Sequence, residues 1–466
     1  MSHRKQFQVV CFMAWAALTA TSSAWAAPEN TTADAVIGQT TFTTNLANQG
    51  GANGTAATMN GNRGLTVDNV SGRLWVADTS NNRVLGFVNA AAFINGESAD
   101  VVIGQADFTG IQSNRGGANP AQNTISGPRG VAVDSASRLY VADTDNKRIL
   151  RFDPPFTNGM NAVQVFGQAG SFTTANQAAM NAATADNLGN PEGVAVDAND
   201  NLYLADRFLS RVLRYNTPAA GAGDTTADLV IGQPNFTSGD SNQGGTPAAN
   251  TINRASGCAL DAAGNLYVCD EFNNRVLLYL APLQNGQVAA RVYGQPSFTT
   301  DTANNGGVSA TSLSTPVSVC VDPVSGNMYI ADSVNMRILE FTNPLTDSTA
   351  DRVFGQQGDF TTNTVNKGGI SADSINDVGG VVADSAGNLY AGDRLNSRVL
   401  RYNVAPAPPG GGDGGNGGGG DGGGGGMGGD GAMMPCGLCG TGTTMLMPIM
   451  LTAWIALRRT NRRRNR

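Results

Sequence analysis

The chain is 466 residues long, with 14% charged residues and 61 glycines, a composition that favours short strands joined by turns over long solvated helices. Its formal net charge is −7; setting aside Arg4, Lys5 and the six arginines between Arg458 and Arg466 leaves 21 basic residues against 36 acidic ones, a net of −15. Such a body repels phosphate backbones, and no basic patch is visible outside the tail, so nucleic acid is excluded as a partner.

Residues 1–26 read as a secretory signal peptide. They carry a basic start (His3, Arg4, Lys5), an apolar stretch from Val9 to about Leu18, and Ala24-Trp25-Ala26, the small residues that a signal peptidase requires. The apolar run is shorter than the ~20 residues of a membrane span, which disfavours a permanent N-terminal anchor. Cys11 lies within the apolar stretch and is not placed for lipid attachment.

From residue 34 to 404 one pattern recurs six times. Its clearest copy is Gly130-Val131-Ala132-Val133-Asp134, then Leu139-Tyr140-Val141-Ala142-Asp143, then Arg148-Ile149-Leu150-Arg151-Phe152, each run reading as a short strand. The aspartates closing the second run are Asp78, Asp143, Asp206, Asp270, Asp332 and Asp393, spaced 65, 63, 64, 62 and 61 residues apart. A fourth strand is expected at Val36-Ile37-Gly38-Gln39 and its copies Val102 to Gln105, Val165 to Gln168, Val230 to Gln233, Val292 to Gln295 and Val353 to Gln356. Four strands per unit make a propeller blade, and runs this apolar fit strands buried on both faces. The predicted fold is an all-β, six-bladed β-propeller. The chain starts on a fourth strand and ends its last copy on a third, Arg398 to Tyr402, so the N-terminal strand should complete the last blade and close the ring.

The run Tyr140-Val141-Ala142-Asp143-Thr144, through Asn146, Arg148, Ile149 and Leu150, resembles the NHL repeat, and the resemblance covers about residues 34 to 403. It implies a six-bladed propeller used mainly as a binding platform, on a fold whose relatives also serve as lyases and lactonases. The long, regular insert after each Gly-Gln pair departs from that pattern.

Symmetry separates scaffold from site, because a residue present in every blade serves a need of every blade. The Asp with the Arg five positions later, from Asp78 and Arg83 to Asp393 and Arg398, recurs in all six copies and reads as a turn cap with a local ion pair. Asp68, Asp134, Asp197, Asp261, Asp322 and Asp384 read as hairpin aspartates. The inserts run 22 to 24 residues, with a recurring Phe (Phe42, Phe108, Phe172, Phe236, Phe298, Phe360) expected to pack on the ring, and with Asn-x-Gly-Gly, as in Asn114 to Gly117, replaced in blade three by Asn176 to Ala179.

Variation collects on the face that holds the fourth-to-first and second-to-third connections. Nearest the channel stand Arg63, Arg129, Glu192, Ser256, Val317 and Gly379; in the second-to-third loops, Thr79, Ser80, Thr144 and Asp145 of blades one and two give way to Phe208, Leu209, Phe272, Val334 and Leu395. An apolar arc beside charged residues suits a protein or glycan at the cell envelope. The expected ligand-binding residues are Arg63, Arg129, Glu192, Phe208, Leu209, Phe272, Val334 and Leu395. The same side chains packing beneath the inserts is the competing reading.

His3 is the only histidine and leaves with the signal, so zinc lyase and His-dependent hydrolase mechanisms are excluded from the mature chain. A metal-dependent lactonase or hydrolase is the alternative function, with Glu192 the one glutamate expected near the channel mouth. No catalytic residue, metal site or cofactor is assigned; calcium is the one ion that the hairpin aspartates could borrow, although no dense Asp-x-Asp-x-Asp loop with a closing Glu appears. A structural surface-layer component is a third reading, and it predicts no variation clustered on one face. Cys258, Cys269 and Cys320 replace Val or Ala within strands, and hairpin register aims Cys258 and Cys269 at opposite faces, so no disulfide is expected.

Residues 405–435 form a Gly/Pro-rich linker with no means of building a core. Residues 436–466 combine Cys436-Gly437-Leu438-Cys439-Gly440, an apolar stretch from about Thr441 to Leu457 and an arginine cluster. This ending resembles bacterial C-terminal sorting signals, which implies Cys436, Gly437, Cys439 and Gly440 as the motif that a membrane protease reads, or else a plain single-pass anchor with a cytoplasmic tail. The expected location is the bacterial envelope or surface, with membrane contact through this segment.

Overall fold

Runs such as Leu139–Asp143 are apolar on both sides because both sides are buried, each against a neighbouring blade. The computed structural model describes residues 30–175, 183–219 and 224–403. Their strands pair into six antiparallel four-stranded sheets, five of them in chain order from the channel outward. In blade two these are the inner strand Pro128–Val133, the second strand Leu139–Asp143, the third Arg148–Phe152 and the outer Gln164–Phe166. Blade six takes its outer strand from the other end of the chain: Ala35–Ile37 pairs with Arg398–Asn403, Ile37 opposite Val399. Ring closure by the N-terminal strand is thus as the repeat phase implies.

Six hydrophobic clusters fill the six interfaces between neighbouring blades. One joins Trp75, Val84 and Ile103 of blade one to Val131, Leu139 and Phe152 of blade two. Each buried Leu, Val or Phe there contributes about 1.5–3 kcal/mol. The recurring Phe residues, from Phe42 to Phe360, are half-buried against these clusters, as the constant insert length suggests.

The outer strands end earlier than expected, before the Gly-Gln pair. Gly104 sits at φ +91°, a conformation that stops the strand, and Gln105 folds back to donate through Nε2 to the carbonyls of Asn82 (2.9 Å) and Gln112 (2.8 Å). The repeated Gln therefore clamps the start of each insert to the second-to-third loop of its own blade.

The repeated Asp and Arg are more than a turn cap. Arg148 Nε donates to Asp143 Oδ2 at 2.7 Å, its Nη2 donates to the carbonyls of Ala121 and Thr124, and its Nη1 reaches the carbonyl of Phe172. Asp143 also accepts from the backbone N–H of Ser126 and the amide of Asn146. Both side chains are fully buried in all six blades. A buried ion pair is tolerated only when its remaining polar positions are filled, and here the two inserts flanking the blade fill them. The hairpin aspartates do as the sequence implies: Asp134 Oδ1 accepts from the N–H groups of Ala136 and Arg138, closing the turn.

At the axis the inner strands touch backbone to backbone. A Cβ on Gly130 would lie 1.9 Å from the carbonyl of Glu192, and one on Gly64 2.2 Å from that of Arg129, so only glycine fits this approach. The signal peptide, the linker from 405 and the motif of Cys436, Gly437, Cys439 and Gly440 lie outside the described residues. Among the described residues no helix is long and apolar enough to cross a membrane. Cys258 pairs in register with Val268, which turns it to the opposite face from Cys269; burial pushes the Cys258 thiol up to about 12, the behaviour of a small core side chain.

Candidate functional site

The inner strands all start at the same end of the ring, so the residue at each start faces the channel. Arg63, Arg129, Glu192, Ser256, Val317 and Gly379 line one pocket there, which continues along the channel past Gly64 and Gly130 and has a volume of about 80 Å³. That is room for a small group and far below the ~300–1,000 Å³ of a site that encloses a whole small molecule.

Arg129 Nη1 bonds Glu192 Oε1 across the blade two to blade three boundary. Glu192 also accepts from the amide of Asn190 (3.1 Å), whose own carbonyl oxygen accepts from Lys147 Nζ (3.0 Å). Burial pushes the Glu192 carboxyl up, with Arg129, Arg207 and Arg63 acting against it. Arg207 lies 3.6 Å from Glu192 and forks onto Glu271 of blade four, at 2.5 and 2.9 Å. Arg254 lies over the rings of Phe208 (5.1 Å) and Phe272 (5.4 Å), with Arg207 also over Phe272.

Across the channel, Asp377 of blade six accepts from Arg394 Nε at 2.7 Å and is bonded by the hydroxyl of Ser333. Arg63 stands between these two groups of charges. It forms no ion pair and no side-chain hydrogen bond with any described residue; burial lowers it to about 10, with Arg129 and Arg394 adding repulsion, and it remains a cation at neutral pH.

The apolar arc is only partly as the sequence implies. Phe272 (49% exposed), Val334 (48%) and Leu395 (53%) stand in solvent, so they do not pack beneath the inserts. Phe208 is half-buried under Arg254. Leu209 is a correction: at 4% exposure it is part of the interior, not of the face. It occupies the position where the other blades carry Asn81, Asn146, Asn273, Asn335 and Asn396, each of which exchanges hydrogen bonds with an insert asparagine such as Asn114. Blade three has glycine where Leu209 needs space: a Cβ on Gly189 or Gly239 would come within 2.8 or 2.6 Å of it. Its insert residues Asn176 to Ala179 lie outside the described residues.

Glu192 is also not the one glutamate at the mouth, since Glu271 joins it through Arg207. The charged residues that sequence reasoning missed fall in two repeat phases. One lies two positions before the inner ring (Gly61, Gly127, Asn190, Arg254, Thr315, Asp377), the other just after the repeated Asp (Thr79, Thr144, Arg207, Glu271, Ser333, Arg394). In the first phase Arg254 and Asp377 hold φ of +69° and +68°, where blades one and two use glycine. A left-handed arginine or aspartate costs about 1 kcal/mol or more, and here it turns the charge onto the face. Among the described residues no three His, Cys, Asp or Glu side chains are grouped so as to hold a metal ion.

Comparison with known proteins agrees with the repeat. The family model of the NHL repeat matches residues 63–87 and 126–152. No curated protein matches. Among solved structures, a streptogramin B lyase is 12% identical (TM-score 0.41, covering 76% of this chain and 96% of that one). A structural genomics protein of unknown function from Bacteroides thetaiotaomicron is 14% identical (TM-score 0.49, 79% and 76%). A virginiamycin B lyase from Staphylococcus aureus is 11% identical (TM-score 0.41, 76% and 98%). At such identities the chemistry of this chain has to be read from its own residues.

Proposed function

We propose that this chain, a six-bladed propeller of the NHL-repeat family, is a binding platform whose ligand, a protein or a glycan, sits on the face around the channel mouth. One observation carries the reading. Four sets of six equivalent positions on that face differ from blade to blade, while the hairpin aspartates, the Asp–Arg pairs and the insert phenylalanines repeat around the ring. A scaffold that served only to pack into a layer would have no need of variation gathered in one place. The pocket is too small to enclose a substrate, so contact has to spread outward over Arg254, Phe272, Val334 and Leu395.

The proposal includes export through residues 1–26 and tethering or sorting through residues 436–466, which would present the ring at the cell envelope. A metal-dependent hydrolase would call on Glu192. Its Oε1 is already bonded by Arg129 and Asn190 and lies 3.6 Å from Arg207, an arrangement that balances the charge with cations rather than leaving it for a metal ion.

The test compares two double variants of the immobilised full chain exposed to envelope extract. Phe272→Asp with Leu395→Asp, on the proposed face, should lose the components that the wild type retains. Val70→Asp with Val324→Asp, at exposed hairpins on the opposite face, should keep them. Equal retention by both would count against the face.

A further inference from the structure

We infer that the channel mouth is a receptor for a single carboxylate of a peptide ligand, with Arg63 as the group that receives it; this rests on the binding face proposed above. Five arginines surround the mouth: Arg63, Arg129, Arg207, Arg254 and Arg394. Arg129, Arg207 and Arg394 each have a carboxylate partner: Glu192, Glu271 and Asp377. Arg63 has none among the described residues, and Arg254 is covered only by two phenyl rings. Of the five arginines around the mouth, two thus have no carboxylate partner among the described residues.

A partly buried arginine without an acceptor is costly, and two more arginines repel it. An incoming anion relieves both costs at once. The fork of the guanidinium matches a carboxylate in two-point contact. The pocket admits a group of carboxylate size, since its volume is about 80 Å³. Arg129 and Arg394 repel Arg63 more than Glu192 and Asp377 attract it, so the net field at the mouth is positive and draws an anion in. The exposed Phe272, Val334 and Leu395 are matched by the apolar side chains of a peptide rather than by the hydroxyls of a sugar chain.

The carboxylate could be an Asp or Glu side chain or a free chain end, and one experiment separates these. Random peptides displayed with free C-termini and, separately, as internal segments are selected on the full chain. The enriched sequences are then synthesised with their acidic residues intact, changed to amides, or with the terminus amidated. The expected result is enrichment of peptides that carry a carboxylate. Affinity should fall about 10- to 100-fold when that carboxylate is neutralised, and by a similar factor in Arg63→Gln, with partial retention in Arg63→Lys. Enriched peptides that bind Arg63→Gln as tightly as wild type would overturn the receptor. If they still fail to bind Phe272→Asp with Leu395→Asp, the face stands and only the anchor is wrong; if they bind that variant too, the face itself is wrong. Enrichment of no peptide, with binding of polygalacturonate instead, would overturn the peptide assignment. Arg63→Gln orphans no carboxylate, so the variant folds and its affinity is readable.

Discussion

The ion pairs buried inside the blades and those at the channel mouth use the same side chains to different ends. Asp143 and Arg148 are fully buried, and carbonyls and amides of their own blade and its two inserts take up the remaining positions. Arg129 and Glu192 are 28% and 7% exposed, they join two blades, and beside them Arg63 is left without a partner. A network that is closed on itself locks a fold, whereas one with an open position can receive something. Six-fold repetition marks the first kind and single occurrence marks the second.

Breaking a closed pair should therefore do the most damage. Asp270→Ala leaves Arg275 buried at 0% exposure without its carboxylate, and should cost about 3–5 kcal/mol in denaturant unfolding. A loss under 1 kcal/mol would mean that the pair is not the hub described here. Restoring the repeat residue in blade three, Leu209→Asn, removes a buried apolar side chain from a slot that Gly189 and Gly239 shape around it, and should cost about 2–4 kcal/mol. Gain of stability would show that blade three still follows the asparagine design. At the mouth, Glu192→Gln keeps the shape and removes the charge that balances Arg129, with an expected loss of about 1–2 kcal/mol by the same assay. Arg63→Gln should leave stability unchanged or raise it by up to about 1 kcal/mol, because no group loses a partner and an unpaired cation repelled by Arg129 and Arg394 is removed. A large loss there would recast Arg63 as scaffold.

The ring was legible because its period is regular: an Asp about every 63 residues, a strand on either side, and a chain that starts on a fourth strand. The inner ring of the site was legible for the same reason, since Arg63, Arg129 and Glu192 occupy one phase of the repeat. The charges of two other phases went unread, although Arg207 and Glu271 are one repeat apart and so are Arg129 and Glu192. Charges of opposite sign at the same phase of adjacent blades are neighbours in a propeller, and that rule could have found both pairs. The fate of Leu209 was harder to read. Position within a loop does not tell whether a side chain points into solvent, and only the coincident glycines at 189 and 239 hint at a pocket made for it.

Hydrogen exchange on the full chain with a selected peptide bound would show directly which face holds the ligand. Binding at the channel mouth should add protection in the second-to-third loops and inner-strand starts around residues 61–64, 127–130, 207–209, 254–257, 271–274 and 394–396. Protection confined to the hairpins on the other side, around 69–72, 135–138, 198–201 and 262–265, would place the ligand on the opposite face and contradict it.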